Sequence, residues 1–111
     1  MSTTYVWKVI EIGTKNAVNN DNEVLNDAIV EVTWKKIGTD INGNFAAYVG
    51  TTDLDPTSTT AAAFVALDDV TSSMIVDWLE STISTKEMGI IDDKIAKKIE
   101  KQQITRQEFN N

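Results

Sequence analysis

The sequence contains no cysteine and no histidine. That excludes disulfides, thiolate nucleophiles, imidazole bases and the usual transition-metal ligands together. It has one proline, Pro56, and five glycines, all solitary, so no Gly-rich phosphate loop is present. The serines and threonines have no histidine to activate them. No apolar run approaches the roughly 18 residues that identify a membrane-spanning helix, and Met1-Ser2-Thr3-Thr4 lacks the basic and apolar regions of an export signal. The expectation is an intracellular site of synthesis and no membrane partner.

What the chain has in excess is negative charge. The net charge is −7 over 111 residues, unevenly placed: residues 1–85 carry four Lys against twelve Asp or Glu, while residues 86–111 carry five Lys and one Arg against five acids. Phosphate backbones are bound by clustered Lys and Arg that displace counterions, so nucleic acid is not an expected partner. Lys94, Lys97, Lys98 and Lys101 are interleaved with Asp92, Asp93 and Glu100, which reads as the solvated face of a helix. At this length a single domain over 1–111 is expected, burying about 60–70% of the surface its unfolded chain exposes.

The pattern of apolar residues changes near residue 69. Before it, Trp7, Val9, Val30, Val32, Trp34 and Tyr48 fall in period-two runs; after it, Val70, Met74, Trp78 and then Ile91, Ile95, Ile99 recur every four residues. The spacing predicts a first strand over Tyr5–Ile12 and an exposed loop over Gly13–Asn22. A second strand follows over Val24–Ile37, with Ala28, Val30, Val32 and Trp34 on one face and Ile29, Glu31, Thr33 and Lys35 on the other. Asn42-Gly43 signals a type I′ hairpin into a third strand, Phe45–Thr51. Residues 52–60 end the sheet, and 61–67 reads as a short edge strand or as a loop anchored by Phe64. Helices are expected over about 70–83, capped by Asp69 or a neighbour, and about 92–102, with a polar tail over 103–111. The fold class is therefore α+β: an antiparallel meander of three or four strands, over residues 4–67, with one or two C-terminal helices on one face.

Groups that could do chemistry do not converge. Asp40-Ile41-Asn42-Gly43-Asn44 superficially resembles a calcium loop, but its glycine is at the fourth place rather than the sixth and its twelfth place is Thr51, not Glu. Asp53, Asp55, Asp68 and Asp69 read as turn and capping residues, and no carboxylate pair is singled out for acid–base work. No catalytic residue, cofactor or metal ligand is assigned, and an enzyme is not expected. Trp7, Trp34 and Trp78 read as builders of the core. Three residues are assigned to partner binding: Tyr48, whose phenol suits an interface, and Ile95 and Ile99, because the second helix has an apolar stripe one residue wide and so could serve a homo-oligomer or another chain.

Tyr5-Val6-Trp7-Lys8-Val9, Val30-Glu31-Val32-Thr33-Trp34, Tyr48-Val49-Gly50-Thr51-Thr52 and Val76-Asp77-Trp78-Leu79 occur in that order. In this the chain resembles a family of small uncharacterised proteins encoded by tailed bacteriophages, especially cyanophages, over roughly residues 4–102. The loop at Asn16–Asn22 and the Pro56 segment depart from the compact members. The resemblance implies synthesis in a host cytoplasm and a non-enzymatic structural or protein-interaction role, as a minor virion component of capsid, neck or tail. The alternative is a small acidic regulator that binds a basic surface on a host protein.

Overall fold

Residues 3–104 are described by the structure, a computed structural model. Strand β1 spans Thr4–Val18, β2 Val24–Thr39 and β3 Phe45–Asp53; after a single 3₁₀ turn at Leu67–Asp69 come helices α1, Ser72–Thr82, and α2, Thr85–Gln102. The strands form one antiparallel sheet in the order β1-β2-β3, so the α+β meander followed by two helices is the architecture observed. Residues 105–111, most of the expected polar tail, lie outside the described residues.

The first strand is much longer than expected, and the second runs two residues further. At 15 and 16 residues they reach about 50 Å at the usual rise, which accounts for a molecule measuring 67 × 32 × 26 Å. Gly13–Val18, read as loop from its polar composition, is strand because β2 supplies it with a hydrogen-bonded partner as far as Val18↔Val24. Three register shifts make the pairing fit. Ile10 is an extra residue on β1, Val30 is an extra residue on β2, and near Asp27, at φ +54°, the Asn16 side chain accepts the Asp27 N–H.

Both hairpin loops are built alike. Asn19 Oδ1 accepts the N–H groups of Asp21 and Glu23, just as Asp40 Oδ1 accepts those of Asn42 and Asn44. The fourth loop residue, Asn22 or Gly43, has φ of +61° or +84°. Asn42 is not in the left-handed region, so the second loop is a type I turn followed by a left-handed residue rather than the expected type I′ turn.

One face of the sheet is covered. Val32, Trp34, Lys36 and Gly38 of β2 point to the helices, with Tyr5, Trp7 and Val9 beside them on β1 and Ala46 and Tyr48 on β3. Two glycines set how closely the layers meet: a Cβ on Gly50 would lie 2.5 Å from the Trp34 indole, and one on Gly38 would lie 2.6 Å from the Ile95 side chain. Trp34 Nε1 donates to Thr52 Oγ1 at 2.8 Å, so the buried indole keeps its hydrogen bond.

Helix α1 is capped by Thr71, whose hydroxyl accepts the Met74 N–H, not by Asp69. Helix α2 starts seven residues before the expected Asp92. Ser84 caps it by accepting the Glu87 N–H, and Ser84-Thr85-Lys86-Glu87 is the S-x-x-E pattern of a capping box. Gly89 therefore sits inside a helix rather than breaking one; its propensity penalty of about 1 kcal/mol is outweighed by the cap and by burial of Ile91, Ile95 and Ile99. That burial corrects the assignment of Ile95 and Ile99 to a partner surface. Ile95 is 0% exposed and Ile99 5%, both inside the main core with Leu79, Ile83 and Trp34. A stripe one residue wide suffices because the helix lies directly on Gly38.

A single lysine fixes α2 on the sheet. Lys36 is buried; its Nζ lies 2.6 Å from Asp92 Oδ1 on α2, 3.3 Å from Met88 Sδ, and 4.7 and 5.0 Å from the ring centres of Tyr5 and Trp7 on β1. Burial, and after it the negative charge of Asp92, raise the Tyr5 phenol above its ordinary pKa.

Three outcomes follow from this packing. Replacing both Ile95 and Ile99 with Ser should lower stability by more than about 4 kcal/mol or prevent folding, measured by urea denaturation; an unchanged midpoint with altered oligomer mass would instead mark them as interface residues. Asp92→Asn should cost about 2 kcal/mol, because it strands a buried ammonium beside a carboxylate site that is one-third exposed; Lys36→Met with Asp92→Leu should recover most of it. Since the folded chain resists ionisation of Tyr5 and the unfolded chain loses that proton near pH 10, stability is intact below about pH 10 and falls above it. Tyr5→Phe should therefore lose less stability than the native chain between about pH 9 and 11.

Candidate functional site

Of the acids that could serve as hard-cation ligands, Asp40 and Asp55 are engaged in turns. Asp40 closes the second hairpin loop with both carboxylate oxygens, Oδ2 taking the Asn44 side-chain amide at 3.2 Å. Asp55 Oδ1 accepts the Thr57 N–H at 3.0 Å, and these hydrogen bonds from Thr57 hold its pKa below the ordinary carboxylate value. Among the described residues no group of three or more Asp or Glu side chains is placed to hold a metal ion. No helix there is long and apolar enough to cross a membrane.

Ile95 and Ile99 lie inside the main core, and Tyr48 packs against its edge. Tyr48 is half-buried on the covered face, 5.8 Å from the Trp34 ring, with the ammonium groups of Lys94 and Lys98 at 5.4 and 5.9 Å from its own ring. These lysines act locally, as cation–π partners of a core-edge aromatic. Lys97 pairs with Asp93 at 3.0 Å one turn away.

Sheet edges are common docking sites, and here the edge of β3 is protected. On β3, Lys98 donates to the Ala47 carbonyl at 2.8 Å and Gln102 to the Phe45 carbonyl at 2.7 Å, using outward acceptors that another strand would need. The free edge of β1 belongs to the strand pair interrupted by three register shifts.

The uncovered face of the sheet is different. Val6 on β1, Ile37 on β2 and Ala47 on β3 stand side by side in one register row, with Val49 and Phe45 in the rows on either side. Val6 and Val49 are each 57% exposed and Phe45 64%. Beyond this apolar end the same face carries Lys8 and Lys35, then Thr33 and Thr51, then Glu31 and Asp53. Alternation in β2 puts Glu31, Thr33 and Lys35 on this face, while the extra residue at Val30 turns Ile29, expected beside them, against the core instead; continuing the alternation two residues to Ile37, and reading Val6 and Val49 by the same rule, exposes the patch.

A second apolar surface arises where β3 stops short. Its last pair is Asp53↔Glu31, leaving the far end of the β1–β2 hairpin without a third strand. Residues 54–66 cover that end: Leu54 N–H donates to the Val30 carbonyl at 2.8 Å, Asn20 N–H to Thr57 at 2.7 Å, and Asn19 Nδ2 to Thr59 at 2.9 Å. Phe64 packs on a small second core of Ala17, Leu25 and Ala28, so 61–67 is a loop anchored by Phe64. Between this loop and α1 lies a groove of about 610 Å³ floored by Ile29, Leu54, Phe64, Val70, Met74 and Trp78, with serine and threonine hydroxyls at its rim. No sequence signal marks the groove itself, because Ile29 comes from β2, Leu54 and Phe64 from the loop and Met74 and Trp78 from α1, and each of them reads as ordinary core.

No curated protein and no solved structure matches the chain. A family model described as Domain of unknown function (DUF7936) matches residues 2–110, and the chain belongs to that family.

Proposed function

We propose that this chain is a non-enzymatic protein-interaction subunit, set in a tailed-phage particle as a minor component of capsid, neck or tail. The observation that carries the reading is the uncovered sheet face, where Val6, Ile37, Phe45, Ala47 and Val49 form one contiguous apolar surface while the β3 edge is guarded. A small domain that spends its polar groups blocking edge pairing yet keeps a flat apolar face is suited to stacking on another subunit. The phage setting comes from the four ordered aromatic motifs of the sequence. A second reading, an acidic regulator of a host protein, is favoured by one specific feature: residues 37–85 contain seven acids and no Lys or Arg.

Proteomics of gradient-purified particles from the encoding phage tests the assignment. Recovery at a fixed ratio to the major capsid protein is expected, and absence from particles would overturn the virion role in favour of the regulator. In the same phage, Val6→Lys with Val49→Lys should abolish incorporation while shifting the melting temperature of the isolated protein by no more than about 2 °C, since both side chains are already exposed. Incorporation of this variant at the native level would show that the sheet face is not the contact.

A further inference from the structure

The groove between α1 and residues 54–67 is separate from the uncovered sheet face. Along α1 its wall is the line Met74, Trp78 and Thr82, continued by Val70 just before the helix, and the 11-residue helix is about 16 Å long. Its apolar floor residues are all half-buried; none is sealed from solvent. A fold that completes its packing elsewhere, with Leu25, Leu79, Ile95 and Val32 fully buried, leaves a tryptophan, a methionine and a phenylalanine partly open here. Those are the residue types that bind apolar side chains with little specificity of shape.

The charge around the groove has one sign. Asp27 and Asp55 line it, and no Lys or Arg does. Asp68 and Asp69 sit exposed on the 3₁₀ turn between its loop wall and its helix wall, and Asp77 and Glu80 are exposed on α1. The bases beside it lie outside its lining: Lys15 pairs with Ala28 across the strands, Lys35 is on the other face of β2, Lys36 is buried against Asp92, and Lys86 is on α2. Among the described residues no buried side-chain polar atom lacks a hydrogen-bond partner, so the groove presents no unmet donor or acceptor of the kind that selects a small polar ligand.

From the apolar floor and the acidic rim we infer that the groove is a docking site for a short basic amphipathic helix of a partner protein. Its apolar side chains enter between Phe64, Met74 and Trp78. Its lysines and arginines face Asp27, Asp55, Asp68 and Asp69. The wall matches about three turns of such a helix, and the acidic rim both accelerates encounter and rejects acidic segments.

The test uses the full chain labelled with ¹⁵N, so that the indole N–H signals of Trp7, Trp34 and Trp78 report separately. The probes are a 14-residue Leu/Lys amphipathic peptide and a Leu/Glu peptide of the same apolar pattern. The Leu/Lys peptide should shift the Trp78 signal and leave that of Trp34, bonded to Thr52, in place; the Leu/Glu peptide should shift neither. Affinity should fall about tenfold between about 50 and 300 mM NaCl. Asp68→Lys with Asp69→Lys, at exposed positions, should weaken binding about tenfold without changing the melting temperature, and Met74→Glu should abolish the Trp78 shift. No shift at Trp78, equal response to the two peptides, or undiminished binding by the Asp68→Lys, Asp69→Lys variant would each overturn the inference. None of these variants touches Val6 or Val49, so the outcome is independent of the sheet-face reading.

Discussion

A charged lysine near the C-terminal end of the central strand governs how this chain packs. Alternation puts Lys36 on the same side as Val32 and Trp34, where an ammonium loses its water. A charge there persists only with a close counter-charge and further favourable contacts. Asp92 supplies the first from α2, and the rings of Tyr5 and Trp7 and the sulfur of Met88 supply the second. The requirement is directional in a way that apolar burial is not. Helix α2 could slide along a greasy surface at little cost, but it satisfies Lys36 from one rotation and one height only. With Asp92 placed, Ile95 falls on Gly38 and Lys98 and Gln102 reach the carbonyls of β3. The same contact thus determines which face is covered and which edge is closed.

The other organising constraint is a mismatch of lengths. β1 and β2 have 15 and 16 residues and β3 has 9, so the third strand covers little more than half of the hairpin. The uncovered end could not stand as two bare strands, since an isolated hairpin is marginal in water. The chain answers with the segment after β3. The bulge at Val30 frees a carbonyl for Leu54, and the buried Asn19, which already organises the hairpin loop, also donates to Thr59. Irregular backbone packs less tightly than a strand or helix, and the groove beside α1 lies along that join.

Much of this was legible because local pattern and tertiary role agree. The three strands, the stripe Val70, Met74, Ile75, Trp78, Leu79 and Ile83, and the core placement of Trp34 follow from periodicity. Three things did not. Gly13–Val18 lacks strand character of its own and is extended only because β2 lies beside it. The start of α2 is set by Ser84-Thr85-Lys86-Glu87, whose cap carries the helix through Gly89, a residue that by itself suggests a break. Ile95 and Ile99 were assigned outward because stripe width was taken to measure burial; width says nothing of how closely a helix approaches, which a glycine on another element decides. Both candidate surfaces are products of topology, one from a face left over after the helices choose the other, and one from a short strand.

Charge distribution gives these two surfaces different chemistries. The sheet face carries Lys8 and Lys35 next to its apolar end and Glu31 and Asp53 further along, a mixture that favours a partner of fixed orientation but neither sign overall. The groove is built from residues 54–82 with Ile29 and Asp27, and the stretch 37–85 has no base at all. Three of the bases elsewhere have partners within the fold: Lys36 with Asp92, Lys97 with Asp93 and Lys98 with a strand carbonyl. No lysine or arginine lines the groove, so its acids keep their field towards solvent beside the partly open Trp78 and Met74. The seam beside α1 thus combines an apolar floor with charge of one sign, whereas the sheet face combines an apolar end with charges of both.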